Sequence, residues 1–365
     1  MKEPNYSWSL DLARVIALGA VLFHHSTQTV NNWLQWGFGR KLSMVFGHGF
    51  IGVDLFFVLS GYLLSTQLIR IANTPLSSQP AIVRNFYFRR LLRTWPGYFL
   101  VLLIIYFLLP HVSFAARGAS NYLSEFSWHN LVFLSNYDLN HSALDVTWSL
   151  CLEEQFYLLI PVLYLISSQR LRIGLLTGIC VLATIARAWI YFTKPGLVAG
   201  DYPGFWYFQA NLLFHPEGFV AGLLLGEITL KNFWPIASRK LAVTFLVLGA
   251  LVIYFYGWNA VGAFSVIALF PFLAVYFQIF IWDIRFWKLQ RLAPILHFVS
   301  LRTYSIYLIH TISNELLKPY LLEWPAVWAW VVGLTAAFIS GCLFYCIAEM
   351  PFEGLRARLR TGCHS

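Results

Sequence analysis

Charged side chains are scarce in this chain. Asp, Glu, Lys and Arg make up 11% of the 365 residues, whereas about a quarter of an ordinary soluble domain is charged. Hydrophobic residues make up 59%. This balance excludes an ordinary soluble protein and predicts an integral membrane protein with several spans.

Cysteines are also few, and their spacing matches neither a zinc site nor a redox motif. Cys151, Cys180, Cys342 and Cys346 lie in apolar segments, and Cys363 lies close to the C-terminus. We interpret them as small buried hydrophobic residues and expect no metal site.

The sequence lacks internal repeats and low-complexity segments, so we expect a single transmembrane domain over residues 1–365 with no appended soluble domain. The first apolar stretch contains Asp11 and Arg14 and is followed by no small-residue cleavage site. It therefore differs from a signal peptide and is predicted to remain as a spanning helix.

Basic residues exceed acidic ones by 25 to 16, giving a formal net charge of +9. In an apolar chain this excess indicates cytoplasmic loops rather than a nucleic-acid surface, and we expect no nucleic-acid partner. Most of the Lys and Arg residues fall on one side if the N-terminus is cytoplasmic. We therefore predict a multi-pass protein of the plasma (inner) membrane, surrounded by membrane lipids, with both termini in the cytoplasm.

Apolar windows long enough to cross about 30 Å of hydrocarbon can be drawn ten times. They cover residues 8–26, 49–68, 93–109, 148–168, 173–192, 205–230, 241–257, 260–282, 297–317 and 326–348. The fold class is therefore all-α, with about ten transmembrane helices. The longest outer loop, 111–147, is polar and aromatic, and we expect a bulky extracytoplasmic ligand to meet the protein there.

Three ionisable residues of the first window lie on one helical stripe. At about 100° per residue, Arg14 and His25 return to nearly the same azimuth, with Asp11 about 60° away. Such groups at membrane depth are candidates for function. A structural Asp11–Arg14 pair with His25 at the lipid headgroups is equally compatible with the spacing. His24 points about 100° from His25 and is interpreted as a structural or lipid-facing residue.

Carboxylates occupy the same outer layer of the membrane as His25. Asp54 lies in the outer third of the second window, and Glu153 and Glu154 lie in the outer third of the fourth. A histidine oriented by a carboxylate is the arrangement that a general base needs. The alternative is that the two glutamates cap and hydrate a junction between loop and helix.

Arg89, Arg90 and Arg93 precede the third window on its cytoplasmic side. Such a run commonly anchors topology. However, Arg89 and Arg93 share a helical face, and arginine is suited to bidentate phosphate binding. A phosphorylated cytosolic donor is the functional interpretation of this cluster.

Six segments together resemble the membrane acyltransferase 3 family. They are "SLDLARVIALGAVLFHH", "GVDLFFVLSGYLLS", "FYFRRLLRTWPGYF", "WSLCLEEQFYLLIP", "SLRTYSIYLIH" and "AEMPFE". They run from Asp11 to Phe352 in the order typical of that family. The segment "HPEGFVAGLLLGE", with His215 and Glu217, matches only loosely.

The resemblance implies transfer of an acyl group, commonly acetyl, from cytosolic acyl-CoA such as acetyl-CoA. The acceptor would be a hydroxyl of an extracytoplasmic carbohydrate or lipid-linked glycan. His25 matches the catalytic histidine of the family. The residues assigned to donor binding are Asp11, Arg14, Arg89, Arg90 and Arg93. The residues assigned to substrate binding are Trp148, Ser149, Tyr157 and His310.

A donor in the cytosol and an acceptor outside require a passage for the thioester, for which a helical bundle with a polar-lined central cavity is suited. We expect His25, helped by Glu153, Glu154 or Asp54, to remove the proton of the acceptor hydroxyl. The alternatives are a proton-coupled secondary transporter, an acyltransferase of a non-carbohydrate small molecule, and an inactive binding module.

The topology predicts opposite labelling of two positions. With native cysteines removed, Tyr122→Cys in the 111–147 loop should react with a membrane-impermeant maleimide in intact cells, whereas Ser238→Cys should react only after lysis. Protection of position 122 in intact cells would overturn the orientation and every depth assignment that depends on it.

Overall fold

A computed structural model describes residues 8–28, 49, 51–108, 128–137, 146–166, 168–193, 211–213, 215–229 and 291–361. These residues form helices and no strands, which confirms the predicted all-α class for this part of the chain. The α-helices are α1 (Trp8–Gln28), α2 (Ile51–Ala72), α3 (Gln79–Leu103), α4 (Thr147–Ile166), α5 (Gln169–Thr193), α6 (Glu217–Thr229), α7 (Ala293–Leu321), α8 (Ala326–Ala348) and α9 (Met350–Thr361). Ile104–Leu108 continues α3 as a π-helical turn, and Trp128–Val132 and Ser135–Tyr137 are short 3₁₀ helices.

Five helices of the described part are long and apolar enough to cross a membrane, so the chain has the character of a membrane protein. They are Ile51–Ala72, Gln79–Phe107, Thr147–Ile166, Gln169–Ile190 and Ala326–Ala348. Helices α1 and α7 are of similar length but carry several ionisable side chains. The predicted windows 241–257 and 260–282, the first residues of 205–230, and most of the 111–147 loop lie outside the described residues.

Helix α3 begins well before the predicted third window. It starts at Gln79 with a proline in its first turn, so Arg89, Arg90 and Arg93 lie within the helix rather than ahead of it. The mean hydropathy of this portion is low because its basic residues offset its apolar ones, and the predicted window therefore leaves it out. Phe86 is nevertheless almost fully buried and fixes the inner face of this portion.

The chain divides into two compact units. The first comprises Met1–Arg14, Val53–Thr74 and Cys151–His297, and the second comprises Val15–Gly52, Pro75–Leu150 and Phe298–Ser365.

The first unit has a close crossing between α2 and α6. A Cβ added to Gly61 would lie 2.0 Å from the carbonyl oxygen of Phe219, and one added to Gly222 would lie 2.1 Å from that of Val58. A Cβ added to Gly226 would lie 1.7 Å from the Ser65 hydroxyl. The three glycines therefore let the two backbones touch, as small residues do between membrane helices.

The second unit packs α3, α7 and α8 together. Tyr304 of α7 donates a hydrogen bond to the carbonyl oxygen of Thr94 at 2.6 Å, and its ring lies against Gly97. Gly341 of α8 lies against Ile306. Cys346 is exposed on α8, contrary to the expectation of burial, because this helix presents an outward apolar face.

The break between α8 and α9 falls at Glu349. Its buried carboxylate accepts a hydrogen bond from the Ser305 hydroxyl at 2.5 Å, and its backbone leaves the helical path before α9 begins at Met350. Pro351 follows in the first turn of α9, where its missing N–H costs nothing. The "AEMPFE" segment therefore forms a corner held from inside by α7.

The α2–α6 crossing predicts a strong dependence on residue size. Gly222→Ala should lower the free energy of unfolding by at least about 1 to 3 kcal/mol, because its Cβ would overlap backbone atoms of α2. Gly174→Ala is the matched control, since a Cβ there meets nothing within 4 Å, and it should leave stability unchanged or raise it by up to about 1 kcal/mol. Thermal unfolding in detergent measures both, and equal stability of the two variants would contradict the crossing.

Candidate active site

Two histidines from different helices meet in the second unit. The rings of His25 on α1 and His310 on α7 have centroids 5.0 Å apart. His310 is fully buried. The neighbouring His24 lies on another side of α1, where its Cβ is 2.8 Å from a Cβ built on Gly49. The His24 and His25 rings also lie 5.1 Å apart, so the two histidines contact each other and differ in their other neighbours.

A backbone bond fixes the tautomer of His310. Its Nδ1 is 2.6 Å from the carbonyl oxygen of Tyr307. A carbonyl only accepts, so Nδ1 carries the hydrogen and neutral His310 presents an Nε2 with a lone pair. Within the described part of the chain, Nε2 has no hydrogen-bond partner. It can therefore accept a hydrogen from a ligand.

The loop–helix junction at the start of α4 supports Tyr307. The Ser149 hydroxyl lies 2.7 Å from the Tyr307 hydroxyl, and both hydroxyls are within reach of the Val146 carbonyl oxygen. Trp148 is partly buried beside Ser149. Ser149 of the "WSL" motif thus contacts the side chain of the residue whose backbone carbonyl accepts a hydrogen bond from His310.

The arginine cluster of α3 has a further member on α9. Arg89 and Arg90 are partly buried, and Arg93 is exposed. Burial lowers the pKa of Arg356, and the nearby positive charge of Arg93 lowers it further. Arg356 also lies 3.7 Å from the Glu353 carboxylate, so the positive charge that favours anionic ligands comes from the exposed Arg93.

Asp11 is the centre of a polar group in the first unit. Its carboxylate accepts hydrogen bonds from Arg14 at 2.8 Å and from Nδ1 of His297 at 2.9 Å. Asp11 is buried, whereas His297 is exposed. The carboxylate therefore ties the start of α1 to the start of α7.

Asp54 binds a histidine that the sequence indicated only weakly. Nε2 of His215 lies 2.5 Å from the Asp54 carboxylate, and both side chains are buried. Two residues later, Glu217 pairs with Arg187 of α5. The loosely matching "HPEGFVAGLLLGE" segment was the available signal for His215 and Glu217, and the signal for Arg187 was its position inside the apolar window 173–192.

Glu153 belongs to a compact hydrogen-bonded triad with Ser60 and Tyr157. Its carboxylate accepts hydrogen bonds from both hydroxyls, which lie 2.8 Å from each other. Glu154 follows and is partly buried. The structure thus joins two residues of the "WSLCLEEQFY" motif to α2.

Helix α6 carries a second buried carboxylate besides Glu217. Glu227 accepts hydrogen bonds from Arg172 at 2.9 Å and from Gln169 at 3.1 Å, both on α5. Arg172 also lies over the Tyr164 ring, with Cζ 4.6 Å from its centroid. Within the described residues, no group of three His, Cys, Asp or Glu side chains is close enough to hold a metal ion.

Comparison with known proteins places the chain in a family. A family model described as an acyltransferase domain matches residues 7–346. The peptidoglycan O-acetyltransferase of Listeria monocytogenes is 27% identical over 98% of this chain and 56% of its own length. An O-acetyltransferase of Staphylococcus aureus is 25% identical over 97% of this chain and 58% of its own length.

The chain thus spans less than three fifths of the length of these two relatives. No solved structure matches it. The family match covers nearly all of the chain, including α1, the arginine cluster and most of α8, and it agrees with the resemblance found in the six segments. The chain belongs to the acyltransferase 3 family.

Proposed function

We propose that this protein is a membrane O-acyltransferase. It moves an acyl group, acetyl by default, from cytosolic acyl-CoA to a hydroxyl of an extracytoplasmic or lipid-linked carbohydrate. The observation that carries the proposal is the His25–His310 pair, in which one imidazole has a defined tautomer and an open Nε2. Family membership and the O-acetyltransferase relatives support the reaction class.

The proposed topology has ten spans, both termini in the cytoplasm of a plasma (inner) membrane and a polar-lined central cavity. Five apolar helices and the asymmetry of basic residues support it. In this topology the arginine cluster lies at the cytoplasmic side, where acyl-CoA is available. His25 lies near the outer end of α1, where an extracytoplasmic acceptor can arrive.

The donor binds by its phosphates to Arg89, Arg90 and Arg93. Arginine suits this task because its planar guanidinium binds phosphate through two hydrogen bonds. We place Asp11 and Arg14 further along the route of the donor. The flexible pantetheine arm then brings the thioester toward His25.

The chemical step uses His25 as a general base. Its imidazole takes the proton of the acceptor hydroxyl as the hydroxyl oxygen attacks the thioester carbonyl. The new C–O bond forms, the C–S bond breaks, and the proton passes to the departing thiolate of CoA. The same base serves a two-step route through an acyl-enzyme.

The remaining motif residues are assigned to support of this step. Asp54, Glu153 and Glu154 are the proposed carboxylates of the reaction, and Trp148, Ser149, Tyr157 and His310 are the proposed substrate-binding residues. Ser149 supports this role through Tyr307, whose carbonyl orients His310. Asp54 is bound to His215, so any role in the reaction includes that imidazole.

The two adjacent histidines provide the first test. His25→Ala should abolish acetyl transfer, a loss of at least roughly 100-fold, because general-base catalysis contributes about that much or more. His24→Ala should retain most activity, since His24 packs toward Gly49. Acetyl transfer and acetyl-CoA hydrolysis by purified protein in detergent measure both variants. Equal losses, or an absence of acyl transfer from the wild-type protein, would count against the assignment.

The second test separates phosphate binding from topological anchoring. The variants Arg89→Lys, Arg90→Lys and Arg93→Lys each keep the positive charge but lose the planar set of N–H donors that a guanidinium group offers. Loss of one charge-assisted hydrogen bond, worth about 1.5 to 3 kcal/mol, should raise the Kd for acetyl-CoA roughly 10- to 150-fold. Arg84→Lys, at an exposed position of the same helix, is the matched control and should bind donor normally. Wild-type affinity in all three variants would leave the cluster as an anchor.

A further inference from the structure

One turn beyond His310, helix α7 carries buried polar atoms that have no hydrogen-bond partner in the part of the chain that the structure describes. Asn314 is 3% exposed, and within the described residues neither its amide nitrogen nor its amide oxygen has a hydrogen-bond partner. The Thr311 hydroxyl and Nε2 of His310 likewise have no hydrogen-bond partner among the described residues. His310 and Asn314 are four residues apart and therefore lie on one face of the helix.

The Tyr307 carbonyl explains why the Thr311 hydroxyl lacks a hydrogen bond within its own helix. Threonines in these helices usually donate to the carbonyl four residues earlier, as Thr303 does to Val299 at 3.2 Å and Thr335 does to Val331 at 2.7 Å. The corresponding carbonyl for Thr311 is that of Tyr307, which instead accepts from Nδ1 of His310. The bond that fixes the His310 tautomer thus leaves a hydroxyl available.

The space at Asn314 is bounded by α8 and is narrow. A Cβ built on Gly333 would lie 3.4 Å from the amide oxygen of Asn314, so only a small residue leaves this side open. One turn earlier on α8, Trp330 stacks on Phe23 of α1 with ring centroids 5.2 Å apart. Phe23 lies two residues before His25. Helix α8 thus borders Asn314 at Gly333 and contacts α1 one turn earlier through the Phe23–Trp330 stack.

Buried polar groups in folded proteins are almost always hydrogen-bonded, and leaving them without partners costs stability. Four such atoms within about one helical turn therefore indicate a site completed by a ligand. A carboxamide offers both an acceptor oxygen and N–H donors, which match a hydroxyl that donates and accepts. The Thr311 hydroxyl can also donate and accept, and Nε2 of His310 can accept, so both suit hydroxyl groups of a ligand.

We propose that Asn314 and Thr311, together with Nε2 of His310, bind the hydroxyl groups of the acceptor and select a polyhydroxylated, carbohydrate-type substrate. Asn314 holds one hydroxyl while a neighbouring hydroxyl reaches the His25–His310 pair. An acceptor with a single hydroxyl on an alkyl chain leaves the carboxamide without a partner and is disfavoured. This assignment rests on the proposed O-acyltransferase function and names the group that chooses the acceptor.

The test uses full-length protein in detergent with acetyl-CoA and the N-acetylglucosamine–N-acetylmuramic acid disaccharide as the probe. Asn314→Leu removes an amide that has no hydrogen-bond partner among the described residues, so its Tm should not fall, and its Kd for acetyl-CoA should stay at the wild-type value. Its kcat/KM for the disaccharide should fall roughly 10-fold or more, and Thr311→Val should act in the same direction. Thr303→Val is the matched control, because the Thr303 hydroxyl is bonded within its own helix, and it should leave the kcat/KM for the disaccharide unchanged.

The other outcomes distinguish failure of the Asn314 assignment from failure of the proposed function. A fall in Tm with unchanged kcat/KM in Asn314→Leu would make Asn314 a packing residue. Wild-type protein that hydrolyses acetyl-CoA without acetylating the disaccharide would overturn the carbohydrate acceptor and leave the reaction class intact. Wild-type protein that releases no acetyl group from acetyl-CoA would overturn the proposed function itself. In that case, stabilisation by the disaccharide in wild type and its loss in Asn314→Leu would still support the binding site.

Discussion

Buried carboxylates in an apolar chain need partners, and this requirement organises the first unit. Four of them are held by basic or imidazole side chains: Asp11 by Arg14 and His297, Asp54 by His215, Glu217 by Arg187, and Glu227 by Arg172. An ion taken out of water without such a partner costs several kcal/mol. Asp11 joins α1 to α7, Asp54 joins α2 to the residues that precede α6, and the other two pairs join α5 to α6. Against this background, the amide of Asn314 and Nε2 of His310 are conspicuous exceptions within the described part of the second unit.

The apolar windows predicted helices well where the local composition is uniform. The window 326–348 coincides with α8 because this helix is apolar throughout and Pro325 marks its start. The window 93–109 misplaced the start of α3, because the arginines that precede it offset the apolar residues that bury its inner face. Helix α9 was missed for the related reason that it is short and basic.

The site was predictable only where its members share a helix or a recognisable motif. Spacing along α1 separated His25 from His24, and the structure gives the two residues different neighbours. The contact of His25 with His310 joins positions far apart in the chain, and no periodicity along one helix can reveal it. Asn314 carried no signal in the sequence, since a single asparagine in an apolar helix is usually a packing residue. Its lack of hydrogen-bond partners among the described residues becomes visible only when the atoms around it are placed.

The bond between Nδ1 of His310 and the Tyr307 carbonyl also limits where protons can travel. A histidine in a proton wire receives a proton at one ring nitrogen and releases another from the opposite one. Here Nδ1–H is engaged by the backbone of its own helix, so a proton that arrives at Nε2 has to leave through Nε2. The His310 ring therefore does not pass protons from one ring nitrogen to the other. Proton movement at His310 in the proposed reaction is therefore confined to Nε2.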